Sequence, residues 1–279
     1  MMLDQRNGDL GVADPSVVLR VDGVGKTFAT RNRPSKEAIR DLSFEVRLGE
    51  LVCIVGPSGA GKTTLLRCLA GLMPPSRGAI SFAGRQVEAT PPEVAVVFQD
   101  YSRSLFPWLT VASNIGLPLK NKGIAKAERA RLVAESLAAV GLPEVAGFHP
   151  WQLSGGMQQR VAIARALAYQ PKLLLMDEPF ASVDAQTRFE LEDLVLAVRE
   201  RFGMTIVFVT HDIDEAVYVG DRIVVLSRSP AVVKRDLAVS FGRDRDQVAT
   251  RRDPRFGDLR SEVLELVLRG GGNDRRALP

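Results

Sequence analysis

Gly56-Pro57-Ser58-Gly59-Ala60-Gly61-Lys62-Thr63-Thr64 is the stretch that decides the fold. The five residues before it, Leu51-Val52-Cys53-Ile54-Val55, are continuously apolar and read as a buried strand. The residues after it, Leu65-Leu66-Arg67-Cys68-Leu69-Ala70, read as a helix ending near Gly71, with Pro74 and Pro75 beyond. Strand, glycine loop and helix are the setting in which a G-x-x-x-x-G-K-[ST] match carries meaning. Glycines let backbone N–H groups turn inward and approach phosphate oxygens. The helix N-terminus adds partial positive charge at the same place. Lys62 can reach β- and γ-phosphates, and Thr63 can offer its hydroxyl to Mg²⁺. A Gly/Ser-rich turn that happens to hold a lysine would leave the agreement of strand, loop, Lys-Thr and helix unexplained.

The rest of the chain sets the frame. Its 279 residues are 46% hydrophobic and 25% charged, ordinary for a soluble globular protein able to bury its own core. The two cysteines, Cys53 and Cys68, fall inside expected core elements and read as small apolar residues in a reducing compartment. Two histidines, His149 and His211, are too few for a zinc site. The N-terminus lacks an apolar signal region, and no apolar run is long enough to cross a bilayer. A cytosolic chain is expected, touching a membrane only peripherally or through a partner. The net charge of +4 fits a mixed Arg-rich surface better than a nucleic-acid stripe. From Arg243 to Arg276 arginines alternate with Asp244, Asp246, Asp253, Asp258, Glu262 and Glu265.

In order along the chain, residues 1–16 read as a disordered tail. Residues 17–21 and 38–46 read as strands, with a polar segment holding Phe28 between them. Short strands are expected at 78–82 and 94–98, the latter ending at Gln99. From Asp100 the character becomes helical, with prolines at 107, 118 and 143 and the clearest helix at 126–140. This reads as a helical insertion in an α/β core. A helix at 157–169 has Ser154 as its N-cap. Apolar strands return at 173–176, ending at Asp177-Glu178, at 206–209, ending at Thr210-His211, and at 223–226. Helices are expected at 189–202, 213–219 and 263–268, and the chain closes on a Gly-rich basic end. Strands alternating with helices predict a mainly parallel sheet, with functional groups at its C-terminal edge.

The chemistry follows from those strand ends. One carboxylate of Asp177-Glu178 can hold Mg²⁺ beside the phosphate loop, and the next can take a proton from a water attacking the γ-phosphate. His211 ends a neighbouring strand and can reach the γ-phosphate. Gln99 ends another. Leu153-Ser154-Gly155-Gly156-Met157 opens a helix and makes a second anion site. One nucleotide in one chain needs only one such site. Two copies related by a twofold axis can each lend one to the other.

In order and spacing, the phosphate loop, Gln99, residues 153–157, Asp177-Glu178, Asp184 and His211 resemble the nucleotide-binding subunit of ABC transporters. The resemblance covers roughly residues 17–230. The segments 98–102 and 105–110, with Met at 157, look like the nitrate/sulfonate/taurine importer branch. The resemblance implies an α/β fold: a P-loop NTPase (RecA-like) core with a small antiparallel β-subdomain and an inserted α-helical subdomain. Its divisions would be a tail at 1–16 and an ATPase domain at 17–240. Within that domain lie 17–98, a helical subdomain at 99–165, and 166–240. A helical extension and loose tail would occupy 241–279.

The resemblance also implies roles. Phe28 would stack on adenine near Ala38, and Gly56, Pro57, Ser58, Gly59, Ala60, Gly61, Lys62, Thr63 and Thr64 would hold the phosphates of ATP. Thr63, Gln99 and Asp177 would serve Mg²⁺, and Glu178 would be the general base, with His211, Gln99 and Lys62 beside it. Ser154, Gly155, Gly156 and Met157 would act in trans across a homodimer, and Asp184 would sit in the loop crossing it. Two transmembrane permease subunits would dock near Tyr101 to Leu109, and a periplasmic or extracellular solute-binding protein would act indirectly. The expected activity is ATP hydrolysis powering import of a small anion, at the cytoplasmic face of the cell membrane. The rival reading is a non-transport ABC ATPase acting on nucleic acid or a protein complex. The chain holds a single cassette without the long arms such proteins carry, so no nucleic-acid partner is expected.

Overall fold

The computed structural model describes residues 14, 16–30, 33–100 and 104–269. Most of the expected N-terminal tail and the expected loose end at 270–279 lie outside the described residues, as do 31–32 and 101–103. The described chain begins with β1 (Val17–Thr30), β2 (Arg33–Arg47) and β3 (Leu51–Val55), followed by α1 (Lys62–Leu69). Next come β4 (Arg77–Phe82), β5 (Arg85–Gln86) and β6 (Val94–Val97). Three helices follow, α2 (Val111–Asn121), α3 (Lys126–Ala139) and α4 (Gly155–Ala168). Strand and helix then alternate through β7 (Leu173–Asp177), α5 (Ala185–Phe202), β8 (Thr205–Thr210), α6 (Ile213–Val219) and β9 (Arg222–Leu226). The chain ends on β10 (Ala231–Ala238), α7 (Ala249–Arg252) and α8 (Pro254–Leu268).

The strands form one mixed sheet in the order β5-β4-β1-β2-β10-β9-β3-β8-β7-β6. Five of them, β9, β3, β8, β7 and β6, run parallel. The β1, β2, β4 and β5 strands pair antiparallel and meet the parallel part through β10. The continuous apolar runs of the parallel strands follow from burial on both faces. Cys53, Met176, Phe208 and Val225 face a layer of helices that includes α2, α4, α5 and α6. Their neighbours Ile54, Leu175, Val207 and Val224 face α1 and the antiparallel strands. In register, Val55 pairs with Thr210, Asp177 with Val209, and Val97 with Met176. Parallel direction and this register carry the phosphate loop, Gln99, Glu178 and His211 to one edge of the sheet.

Several elements are longer than their local pattern indicates, among them the strand expected at 38–46, which runs Arg33–Arg47. The strand expected at 17–21 continues to Thr30, because pairing with β2 extends it through several register shifts. The helix expected from Phe189 starts at Ala185, where the Asp184 carboxylate accepts a hydrogen bond from the Thr187 N–H at 3.0 Å. The helix expected at 263–268 starts at Pro254, capped by Asp253. Asp-Pro is an N-cap followed by a residue preset for the first helical position, a start signal that a short apolar run conceals.

Candidate nucleotide-binding and catalytic site

The phosphate loop joins β3 to α1. Gly61 is left-handed (φ 91°), and a Cβ there would stand 3.1 Å from the Ala38 carbonyl oxygen. Both facts call for glycine. Lys62 is only 5% exposed, with Nζ donating to the Gly56 carbonyl at 2.9 Å and lying 3.6 Å from Glu178 Oε1. Burial pulls its pKa below the ordinary lysine value, and the Glu178 carboxylate opposes that pull. The Thr63 hydroxyl donates to Asp177 Oδ1 at 3.3 Å. Asp177 is buried at the end of β7, and burial raises its pKa above the usual aspartate value.

Glu178 holds a left-handed backbone (φ 44°), with its N–H bonded to the Val209 carbonyl of β8 at 2.8 Å. A non-glycine residue pays on the order of 1–3 kcal/mol for such a conformation, and strain of this kind collects at functional sites. Glu178 Oε2 lies 3.0 Å from His211 Nδ1 and accepts from Gln99 Nε2 at 3.4 Å. Lys62, Gln99 and His211 therefore converge on one carboxylate.

These groups border a cavity of about 700 Å³. Phe28 and Ala38 line it with all nine residues of the phosphate loop, Gln99, Glu178 and His211. Asp177 stands behind this wall, reached through Thr63. Ser154, Gly155, Gly156 and Met157 are not among the lining residues, nor is Asp184. Ser154 caps α4, its hydroxyl accepting from the Met157 N–H at 3.3 Å. Gly156 abuts the first turn of α5, where a Cβ would stand 2.5 Å from Thr187 Cγ2. The Thr187 hydroxyl in turn donates to Asp184 at 2.6 Å. The helix-opening glycines and the Asp184 turn thus form a second polar group, separate from the cavity.

A family model described as ABC transporter matches residues 39–181. The chain is 40% identical to the "Nitrate import ATP-binding protein NrtD" of Synechococcus elongatus, over 92% of this chain and 93% of that protein. The chain belongs to the ABC transporter family. It is also 42% identical, over 90% of its length, to the "Bicarbonate transport ATP-binding protein CmpC" of Synechocystis sp., but spans only 38% of that relative. Among solved structures, the ATP-binding cassette MJ0796, in a dimeric post-hydrolysis state bound to ADP and Pi, shares 33% identity with a TM-score of 0.70. That likeness covers 79% of this chain and 98% of the other.

In this ABC cassette the local motifs found most of the cavity wall. They missed Lys36, Ser229 and Val267, which also line it. Lys36 follows Phe28 across the β1–β2 ladder, where the two residues pair. Strand pairing was the only signal for it. Ser229 and Val267 arrive from the far end of the chain with no motif around them.

Proposed function

We propose that this cassette binds and hydrolyses Mg·ATP between two copies of itself and so powers import of a small anion through partner membrane subunits. The convergence of Lys62, Gln99 and His211 on Glu178, at the rim of a cavity floored by the phosphate loop, is the observation that carries this reading. Phe28 offers a half-buried ring to the base. Loop N–H groups and Lys62 hold the phosphates, and Lys62 is already drawn toward loop carbonyls that a triphosphate would displace it from. Glu178 takes the proton of the attacking water. His211 orients that carboxylate and reaches toward the γ-phosphate.

The oxygens of Thr63 and Asp177 fit Mg²⁺, which prefers hard oxygen ligands and keeps few of them from protein. Among the described residues no cluster of three or more His, Cys, Asp or Glu could hold a metal ion. When bound, Mg²⁺ neutralises charge on the β- and γ-phosphates. The position of Ser154 outside the cavity supports its action on a nucleotide held by the opposite copy. A γ-phosphate then favours closure because it alone contacts both copies.

Two surface features, an exposed aromatic pair and the groove beside it, support docking on membrane partners. Among the described residues no helix is long and apolar enough to cross a membrane. Trp108 is 71% exposed, with Phe106 5.3 Å from it. A groove of about 550 Å³ between α2 and α3 begins at Leu109, floored by Val133 and Leu137 and rimmed by Lys120 and Lys126. Tyr101, the other end of the expected docking segment, lies outside the described residues. The importer assignment follows the name of the nitrate relative, and the cytoplasmic membrane face is implied by the family resemblance alone. Nitrate and bicarbonate, the solutes in those names, are both small oxyanions. Purified chain should hydrolyse ATP with Mg²⁺ and should be recovered from membranes with two integral subunits. Recovery with nucleic acid instead would favour the rival reading.

A further inference from the structure

One wall of the nucleotide cavity belongs to no phosphate-binding motif. Val267, in the last turn of α8, lines it with Lys62 and His211. The helix that brings Val267 there is firmly seated. Val263, one turn earlier on the same face, is fully buried, and Phe256 packs 5.9 Å from the Phe241 ring. Arg260 Nε lies 2.7 Å from Asp214 Oδ1, in the first turn of the helix that follows His211. Arg260 and Leu264 border His211 again in a smaller cavity of about 310 Å³.

A second, independent feature concerns charge. The C-terminal end of a helix carries partial negative charge, unfavourable beside a polyphosphate. Here the Lys234 ammonium from β10 donates to the Leu266 carbonyl, in the turn that carries Val267. The cation donates to a carbonyl of the last turn and masks the partial charge at the place where the helix meets the cavity.

We infer that the C-terminal helix is a structural part of the nucleoside triphosphate site: Val267 closes the cavity with an apolar wall, and α8 backs the His211 turn. The inference rests on the nucleotide reading above. It makes the C-terminal segment a route by which anything that grips or displaces α8 alters nucleotide binding.

The test is equilibrium binding of Mg·ATP to the full chain, with melting temperatures measured alongside. Val267→Asp places a carboxylate against the phosphates, and the Kd should rise about tenfold. Val267→Lys places an ammonium there instead, and the Kd should fall about threefold. Leu268→Asp, one residue on and 66% exposed, should stay within twofold. The inference is overturned if Val267→Asp stays within twofold, if Val267→Lys weakens binding as much as Val267→Asp, or if Leu268→Asp does so. Should Val267→Asp melt early, Val267→Lys decides alone, and a Kd that does not fall overturns the inference. A wild-type chain that binds no nucleotide would sink the nucleotide reading itself, a separate outcome.

Discussion

His211 Nδ1 stands 3.0 Å from Glu178 Oε2, and the two residues end adjacent parallel strands. Glu178 is mostly covered while the His211 side chain is 58% exposed, so the imidazole forms the outer face of the pair. Lys62 approaches the other carboxylate oxygen from the phosphate loop. A carboxylate so placed meets a cation on the loop side and has its orientation set from the solvent side. Glu178→Gln keeps the shape but removes the proton acceptor. Turnover should fall at least 100-fold, the usual scale for loss of a positioned base, while the Kd for Mg·ATP stays within a few-fold. Single-turnover phosphate release against equilibrium binding separates the two, and near-normal hydrolysis would remove Glu178 as the base.

Legibility in the sequence followed the locality of the chemistry. Phosphate binding needs glycines, a lysine and a hydroxyl in one short turn, so residues 56–64 were readable at once. The carboxylates, His211 and Gln99 were readable because each ends an apolar strand, and parallel pairing brings strand ends together. Val267 and Ser229 were not readable, because each reaches the cavity only through the packing of the C-terminal region. Val263, whose burial brings Val267 to the cavity, looks in sequence like any apolar helical residue. The contact between Gly156 and Thr187 was likewise hidden, since it depends on how α4 approaches α5.

That contact makes a prediction of its own. A methyl group at Gly156 would meet Thr187 Cγ2 at 2.5 Å, and Thr187 cannot easily yield. Its χ1 is stiff, and its hydroxyl and N–H are both bonded to Asp184. Gly156→Ala should therefore cost roughly 1–3 kcal/mol, the range for overpacking, and disturb the Asp184 turn. Adding Thr187→Ser removes the offending methyl and keeps the hydroxyl, so the double variant should recover most of the loss. Denaturant unfolding of the four proteins in the cycle gives the coupling. Simple additivity would mean the two residues do not meet.

Ser154 lies apart from the cavity, on the exposed N-cap of α4. Ser154→Arg should therefore leave ATP binding to the isolated monomer unchanged while blocking hydrolysis and ATP-driven dimerisation. Light scattering with ATP in a Glu178→Gln background reads dimerisation without turnover. Weakened monomer binding would mean that the serine serves the nucleotide of its own chain.

Glu215 predicts a pH dependence of stability. It is 4% exposed beside the His211 turn, accepting from the Thr210 hydroxyl at 2.6 Å. Asp212 and Glu192 oppose its charge, and Arg188, 3.5 Å away, only partly offsets them. Burial is the leading cause that pushes its pKa from 4.5 to about 7. The folded value lies above the unfolded one, so the favourable state is the protonated acid. Its contribution is present in full below pH about 4.5 and is lost as pH rises toward about 7, to a total of roughly 3 kcal/mol. Glu215→Gln keeps an acceptor for Thr210 and cannot ionise. Its melting temperature relative to wild type should therefore be higher at pH 8 than at pH 5, by several degrees on a chain of this size. Parallel melting curves for the two proteins across that range would mean that Glu215 is charged throughout and that Arg188 fully compensates its burial.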